Sequence, residues 1–166
     1  MESSTFLEIV DQIRQFAMKA EDLAALQDFT VNLISTRLPH YNWTGFYMLD
    51  SDDSNVLVLG PFRGAPTEHV RIPVTEGICG AAVAQGQSIV IDDVASDPRY
   101  LACSIETRSE IVVPIGVNGE IVGEIDIDSH EPAAFGAADR AFLEECAEIV
   151  GAYIAARTRS QSAISK

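Results

Sequence analysis

Apolar residues recur along this chain first at helical spacing, then at strand spacing, then at helical spacing again. In "STFLEIVDQIRQFAMKA", Phe6, Ile9, Val10, Ile13 and Phe16 fall on one helical stripe, and Thr5 followed by Glu8 has the form of a capping box. In "EDLAALQDFTVNLISTRL", Glu21 and Asp22 occupy a first turn, where the helix dipole favours anions. Leu23, Leu26, Leu33 and Leu38 then repeat until Pro39 stops the pattern. Two N-terminal helices are predicted. The period then changes. "WTGFYMLD" and "NVLVLGPF" are β-rich runs flanking the turn-forming "SDDS", which predicts an antiparallel hairpin. "GICGAAVAQ" predicts a short helix and "QSIVIDDV" a buried strand. "EIVVPIGV", Asn118-Gly119 and "EIVGEIDIDS" predict a second hairpin with a type I′ turn. Last, "AADRAFLEECAEIVGAYIAARTR" carries Phe142, Leu143, Cys146, Ile149, Val150, Tyr153 and Ile154 on a helical stripe.

Helices at both ends with hairpins between them predict an α+β domain, an antiparallel sheet covered by helices on one face. A chain of 166 residues suits one core, so a single domain is expected over residues 1–159, with 160–166 as a flexible polar tail. No repeat, linker or low-complexity segment interrupts it.

The net charge of −14 disfavours nucleic acid and anionic membranes as partners and suits a small cation or zwitterion, although acidity also serves solubility alone. The start "MESSTFLEIV" lacks the cationic and apolar regions of a secretory signal, and no apolar run approaches a membrane span, so a soluble cytoplasmic protein is expected. In that compartment three cysteines do not make a disulfide framework, and each is read separately. Cys146 lies on the core stripe of the last helix and reads as packing. Cys79 sits in a glycine-flanked turn into a helix, where backbone N–H groups can lower a thiol pKa. Cys103 lies in the polar, turn-rich "LACSIETRSE", with Arg99 and Arg108 near it in sequence, a setting that favours a thiolate. A metal reading would combine His69, Cys79 and Cys103, but separations of ten and twenty-four residues match no compact zinc spacing.

Strand alternation in "GEIDIDS" puts Glu124, Asp126 and Asp128 on one face. Antiparallel sheets often leave one face wet, and that is one reading. The other is an ammonium site, because repeated aspartates are depleted in strands that merely face water. Trp43, Gly45 and Tyr47 alternate in the same way. They are either core or the wall of a small-ligand pocket, with Gly45 leaving room between the rings and the rings suited to a thioether or sulfoxide methyl.

In this order and spacing, "YNWTGFY", "LGPFRG", "EGICGAA", "DDVASDPRYLACSIETRSEIVVP" and "GEIDIDS" resemble the GAF-domain free methionine-(R)-sulfoxide reductases over about residues 40 to 155. The resemblance implies a GAF-like sheet of about six strands, with terminal helices on one face and a small-ligand pocket on the other. It implies that Cys103 is the catalytic cysteine and that Glu110, Asp126 and Asp128 hold the substrate against Trp43 and Tyr47. Cys79 matches a second family cysteine, a resolving or recycling thiol. The family carries a further cysteine ten residues before Cys79, where this chain has His69 in a loop one residue longer. Cys79 or an external thiol must then resolve Cys103. Glu110 is expected either to protonate the departing oxygen or to bind the ammonium. Thioredoxin as external reductant, no bound cofactor or metal, and a homodimer through the terminal helices complete the expectation. The competing reading is a non-catalytic GAF module that binds a small molecule or senses redox state. The absence of an effector domain after the last helix counts against that reading.

Overall fold

A computed structural model describes residues 2–101 and 104–164. Helix α1 (Glu2–Ala17) buries Phe6, Ile9, Val10 and Ile13, the predicted stripe. It begins upstream of the anticipated capping box, so Thr5 lies inside the helix, and Glu2 supplies the anion of the first turn. In α2 (Leu23–Arg37), Asp22 stands just outside the helix rather than in its first turn, and its carboxylate accepts the Ala25 N–H at 2.8 Å. Six strands follow: β1 (Trp43–Leu49), β2 (Val56–Arg63), β3 (Arg71–Pro73), β4 (Ile89–Ile91), β5 (Ser109–Val117) and β6 (Glu120–Ser129). Helix α3 (Gly77–Gln85) lies between β3 and β4, and α4 (Ala137–Ile164) closes the fold.

The strands form one antiparallel sheet in the order β3-β2-β1-β6-β5-β4. Asn118 (φ 52°) and Gly119 (φ 84°) both take the left-handed conformation that a type I′ turn requires, and this fixes the β5–β6 register. Three details depart from the sequence pattern. Strand β3 was not anticipated, since three residues are too few to show a period. The "QSIVIDDV" strand shrinks to Ile89–Ile91 and is half-buried, because Asp93 leaves the ladder to cap a short 3₁₀ turn by accepting the Ala95 N–H. And α4 runs past Ser160 to Ile164, where a polar tail was expected.

The two faces of the sheet hold separate cores. On one, α2 and α4 cover Phe46, Ile111, Val113, Ile115, Ile125 and Ile127, and α1 packs on those two helices. On the other, α3 delivers Ile78, Cys79 and Ala82 against Trp43, Tyr47, Leu57 and Val112. Helix α4 reaches the β5–β6 hairpin only because Gly151 has no side chain: a Cβ there would collide with the Gly116 carbonyl. Gly151→Ala is expected to lower stability by about 1–3 kcal/mol, the usual cost of overpacking. An unchanged urea midpoint would mean that α4 can lift from the hairpin freely.

Candidate active site

The site is assembled by strand register. Trp43 of β1 pairs with Asp128 of β6, Gly45 with Asp126, and Tyr47 with Glu124. Across the other ladder Glu110 of β5 pairs with Asp128, and Val112 with Asp126. Because side chains at paired positions share a face, four carboxyl groups and two aromatic rings converge on the face covered by α3. The wet-face reading is thereby corrected. Glu124 is 0% exposed, Asp126 and Asp128 are 1% exposed and Glu110 is 5% exposed.

Burial on this scale disfavours charge. It pushes Asp126 up to about 6, against hydrogen bonds from Glu110 and Cys79 that pull it down. Burial, followed by the charge of Asp126, holds Asp128 well above the usual carboxylate range, and burial does the same to Glu124. The cluster therefore keeps protons at pH values where exposed carboxylates have lost theirs. Neither oxygen of Glu124 or Asp128, nor Asp126 Oδ1, has a hydrogen-bond partner among the described residues. Glu124 is the acid that sequence reasoning left out of the site; the alternation of "GEIDIDS" already placed it on the acidic face.

Cys79 enters this cluster from α3. Its thiol donates to Asp126 Oδ2 at 3.4 Å and leans on Glu124 without a well-aligned bond. Sequence had suggested that the nearby helix start lowers its pKa. The structure gives the opposite. Burial comes first, and the charges of Asp126, Glu124 and Glu110 add to it, so the thiol is raised well above its ordinary value. A side chain aimed at three carboxyl groups does not feel the α3 N–H groups as its main field. Cys146 is fully buried in the helical core and is likewise raised, in keeping with packing.

The aromatic wall has three members. Trp43 stacks on Tyr47 at a centroid distance of 6.2 Å and on Phe62 of β2 at 5.4 Å. Phe62 was not foreseen; it stands opposite Gly45 in the β1–β2 ladder. Gly45 does not leave an open gap between rings. Trp43 itself lies over it, so that a Cβ there would fall 2.5 Å from the indole. The wall is tied to the β2–β3 connection by two donors: Trp43 Nε1 to the Ala65 carbonyl (3.0 Å) and the Tyr47 hydroxyl to the His69 carbonyl (2.7 Å). Arg99, expected to favour a thiolate, is held by both oxygens of Asp97, at 3.0 and 2.8 Å. Cys103 lies outside the described residues.

Between these groups a cavity of about 10 Å³ is lined by Ile72, Ile78, Cys79, Leu101, Glu110 and Asp126. That is room for roughly one water molecule. Ligand-type atoms converge here too: Cys79 Sγ and carboxylate oxygens of Glu110 and Asp126 lie within 4.8 Å of one another. Among the described residues no helix is long and apolar enough to cross a membrane.

A family profile for the GAF domain matches residues 20–155. The chain belongs to the GAF domain family. The six-stranded sheet is the GAF sheet, as the solved relatives of the family also show. Protein YtsP of Bacillus subtilis is 46% identical over 116 residues, 70% of each chain. A free methionine-R-sulfoxide reductase of Escherichia coli is 47% identical over 100 residues, 60% of this chain and 58% of that protein. This GAF domain also superimposes on the free methionine-R-sulfoxide reductase of Neisseria meningitidis, solved with its substrate. The TM-score is 0.89 and the identity 34%, over 96% of this chain and 94% of the other.

Proposed function

We propose that this GAF domain reduces free methionine-(R)-sulfoxide to methionine, with Cys103 as the nucleophile and thioredoxin as electron donor. The observation that carries the reading is the pairing of buried carboxyl groups, several of whose oxygens have no hydrogen-bond partner among the described residues, with an aromatic wall. An ammonium group satisfies the first and a methyl group bound to sulfur suits the second. Relatives that carry the reductase name support it.

In this mechanism the substrate ammonium sits on Asp126 and Asp128, and its methyl group packs against Trp43 and Tyr47. The Cys103 thiolate attacks the sulfoxide sulfur. Glu110 protonates the oxygen as the S–O bond breaks and an S–S bond to Cys103 forms. Water then attacks the Cys103 sulfur and gives its proton back to Glu110. The S–S bond breaks with its electron pair going to methionine, and Cys103 is left oxidised to a sulfenic acid while the substrate sulfur is reduced. Cys79 or an external thiol then displaces hydroxide from the sulfenic sulfur; with one proton this leaves as water and a disulfide forms. A thioredoxin-type dithiol returns both sulfurs to thiols. Cys79 is the slower resolver of the two, since its thiol is buried and raised well above its ordinary pKa by burial and by the surrounding carboxyl groups.

The test is NADPH consumption through thioredoxin reductase and thioredoxin, with free methionine-(R)-sulfoxide, its (S) epimer and the N-acetylated (R) form. Turnover is expected with the free (R) form alone, because acetylation removes the cation that the carboxyl cluster recognises. Equal turnover of the acetylated form would exclude the ammonium site. No methionine from any form, even at one equivalent per protein, would leave the domain as a small-molecule binder.

A further inference from the structure

We infer that Cys79, Glu110 and Asp126 form a binding site for a thiophilic divalent cation of the zinc type, in the place proposed for the substrate ammonium. The competition rests on the proposed function; the cation site does not. Cys79 Sγ and one carboxylate oxygen from each acid lie within 4.8 Å of one another, and each residue is at most 5% exposed. The distance from Cys79 Sγ to Asp126 Oδ2 is 3.4 Å. In a tetrahedral zinc centre, with Zn–S of about 2.3 Å and Zn–O of about 2.0–2.2 Å, the sulfur-to-oxygen edge is about 3.5 Å. A metal ion can thus replace the thiol proton with that edge nearly unchanged, and Glu110 closes the third side by turning its carboxylate.

A second observation points to a cation independently of the three-residue geometry. Asp126 Oδ1 and both oxygens of Asp128 and Glu124 are buried without a hydrogen-bond partner among the described residues. None of the residues lining the cavity is basic. Arg99, which is electrostatically close to Glu110, spends its hydrogen bonds on Asp97. Among the described residues, the pocket therefore presents buried carboxyl lone pairs and its lining carries no positive charge. The donor set selects the cation. One sulfur with carboxylates suits zinc, cadmium or cobalt, whereas magnesium and calcium take oxygen shells of six or more. Three protein ligands leave one position free. On binding, the Cys79 S–H bond breaks, a sulfur–metal bond forms and one proton goes to solvent, with no change in oxidation state. The bound cation holds Cys79 as a thiolate and occupies Asp126, so it acts as a reversible inhibitor.

Cobalt(II) titration of the reduced Cys103→Ser protein tests this, with the proposed nucleophilic thiol removed so that it cannot supply the signal. Binding at one ion per chain is expected, with a thiolate-to-cobalt charge-transfer band and the intense visible bands of tetrahedral cobalt, both displaced by zinc. The charge-transfer band should vanish in the Cys79→Ser, Cys103→Ser double variant, and affinity should fall at least about tenfold in Asp126→Asn or Glu110→Gln, as loss of one ligand implies. Absence of the charge-transfer band in the Cys103→Ser protein, or its survival after Cys79→Ser, would overturn the site. In wild-type protein, full thioredoxin-coupled turnover at saturating zinc would overturn the shared position. Turnover by chelator-treated protein separately reports whether the reductase reading stands.

Discussion

Cys103→Ser is expected to reduce methionine formation to background, while Cys79→Ser still forms one equivalent of methionine per protein. The contrast matters because two thiols compete for the nucleophile's role. Sulfoxide attack needs a thiolate, and the structure tells strongly against Cys79 as its source. That thiol is 5% exposed, donates to Asp126 and is raised well above its ordinary pKa by burial and by three neighbouring carboxyl groups. Carboxylates around a thiol repel the negative charge that deprotonation creates. The field that would attract the ammonium group in the proposed function makes the pocket hostile to a Cys79 thiolate. Serine at 103 supplies no comparable nucleophile, since an unactivated hydroxyl is a weak one. Methionine released in a single turnover without reductant is the quantity to measure. One equivalent from the Cys103→Ser protein would transfer the nucleophile's role to Cys79.

Asp126→Asn is expected to damage catalysis and stabilise the fold. Removing one partner from a buried charge pair costs about 2–5 kcal/mol, so kcat/KM should fall roughly 30- to 4,000-fold. Stability should move the other way at neutral pH. The Asp126 carboxyl titrates near 6 in the folded protein and near 3.8 as its ordinary value, so the native state binds the proton more tightly. Stability from this group is fully present below pH 3.8 and is lost as pH rises to about 6, after which the deficit is constant. The deficit at pH 8 is on the order of 3 kcal/mol, from 1.36 kcal/mol per pKa unit. Asparagine does not ionise. Urea unfolding at pH 5 and pH 8 should therefore show a drop for the wild type and a smaller one for Asp126→Asn. Equal drops would mean that Asp126 is ionised at little cost and that a cation inside the pocket is not needed to stabilise it. Opposite changes in activity and stability at one residue are the signature of a site that is held at the fold's expense.

Different parts of this architecture were legible to different degrees. The helical stripes of α1 and α4, both hairpins and the short helix α3 are local patterns, readable because a period of 3.6 or 2 repeats within one segment. The N-terminus of α1, the shortened β4 and the three-residue β3 were not, since fraying, capping and edge pairing leave little periodic trace. At the site, alternation put Glu124, Asp126 and Asp128 on one side of a strand, and Trp43 and Tyr47 on one side of another. Whether those sides face water is not a property of either strand. It follows from α3 folding over them, and with that covering came the raised carboxyl groups and the raised Cys79.

By itself, then, the sequence determined the alternation of faces, the turn at Asn118-Gly119, the strongly negative charge and the motifs that resemble one reductase family. Tertiary structure decided which acids share a cavity, that Phe62 completes the wall, that Arg99 is taken by Asp97, and that Cys79 is a protonated partner of Asp126. The reason is range. Side-chain direction is set by backbone geometry within a few residues, whereas burial, the quantity that shifts a carboxyl or a thiol, is a sum over neighbours brought from distant parts of the chain.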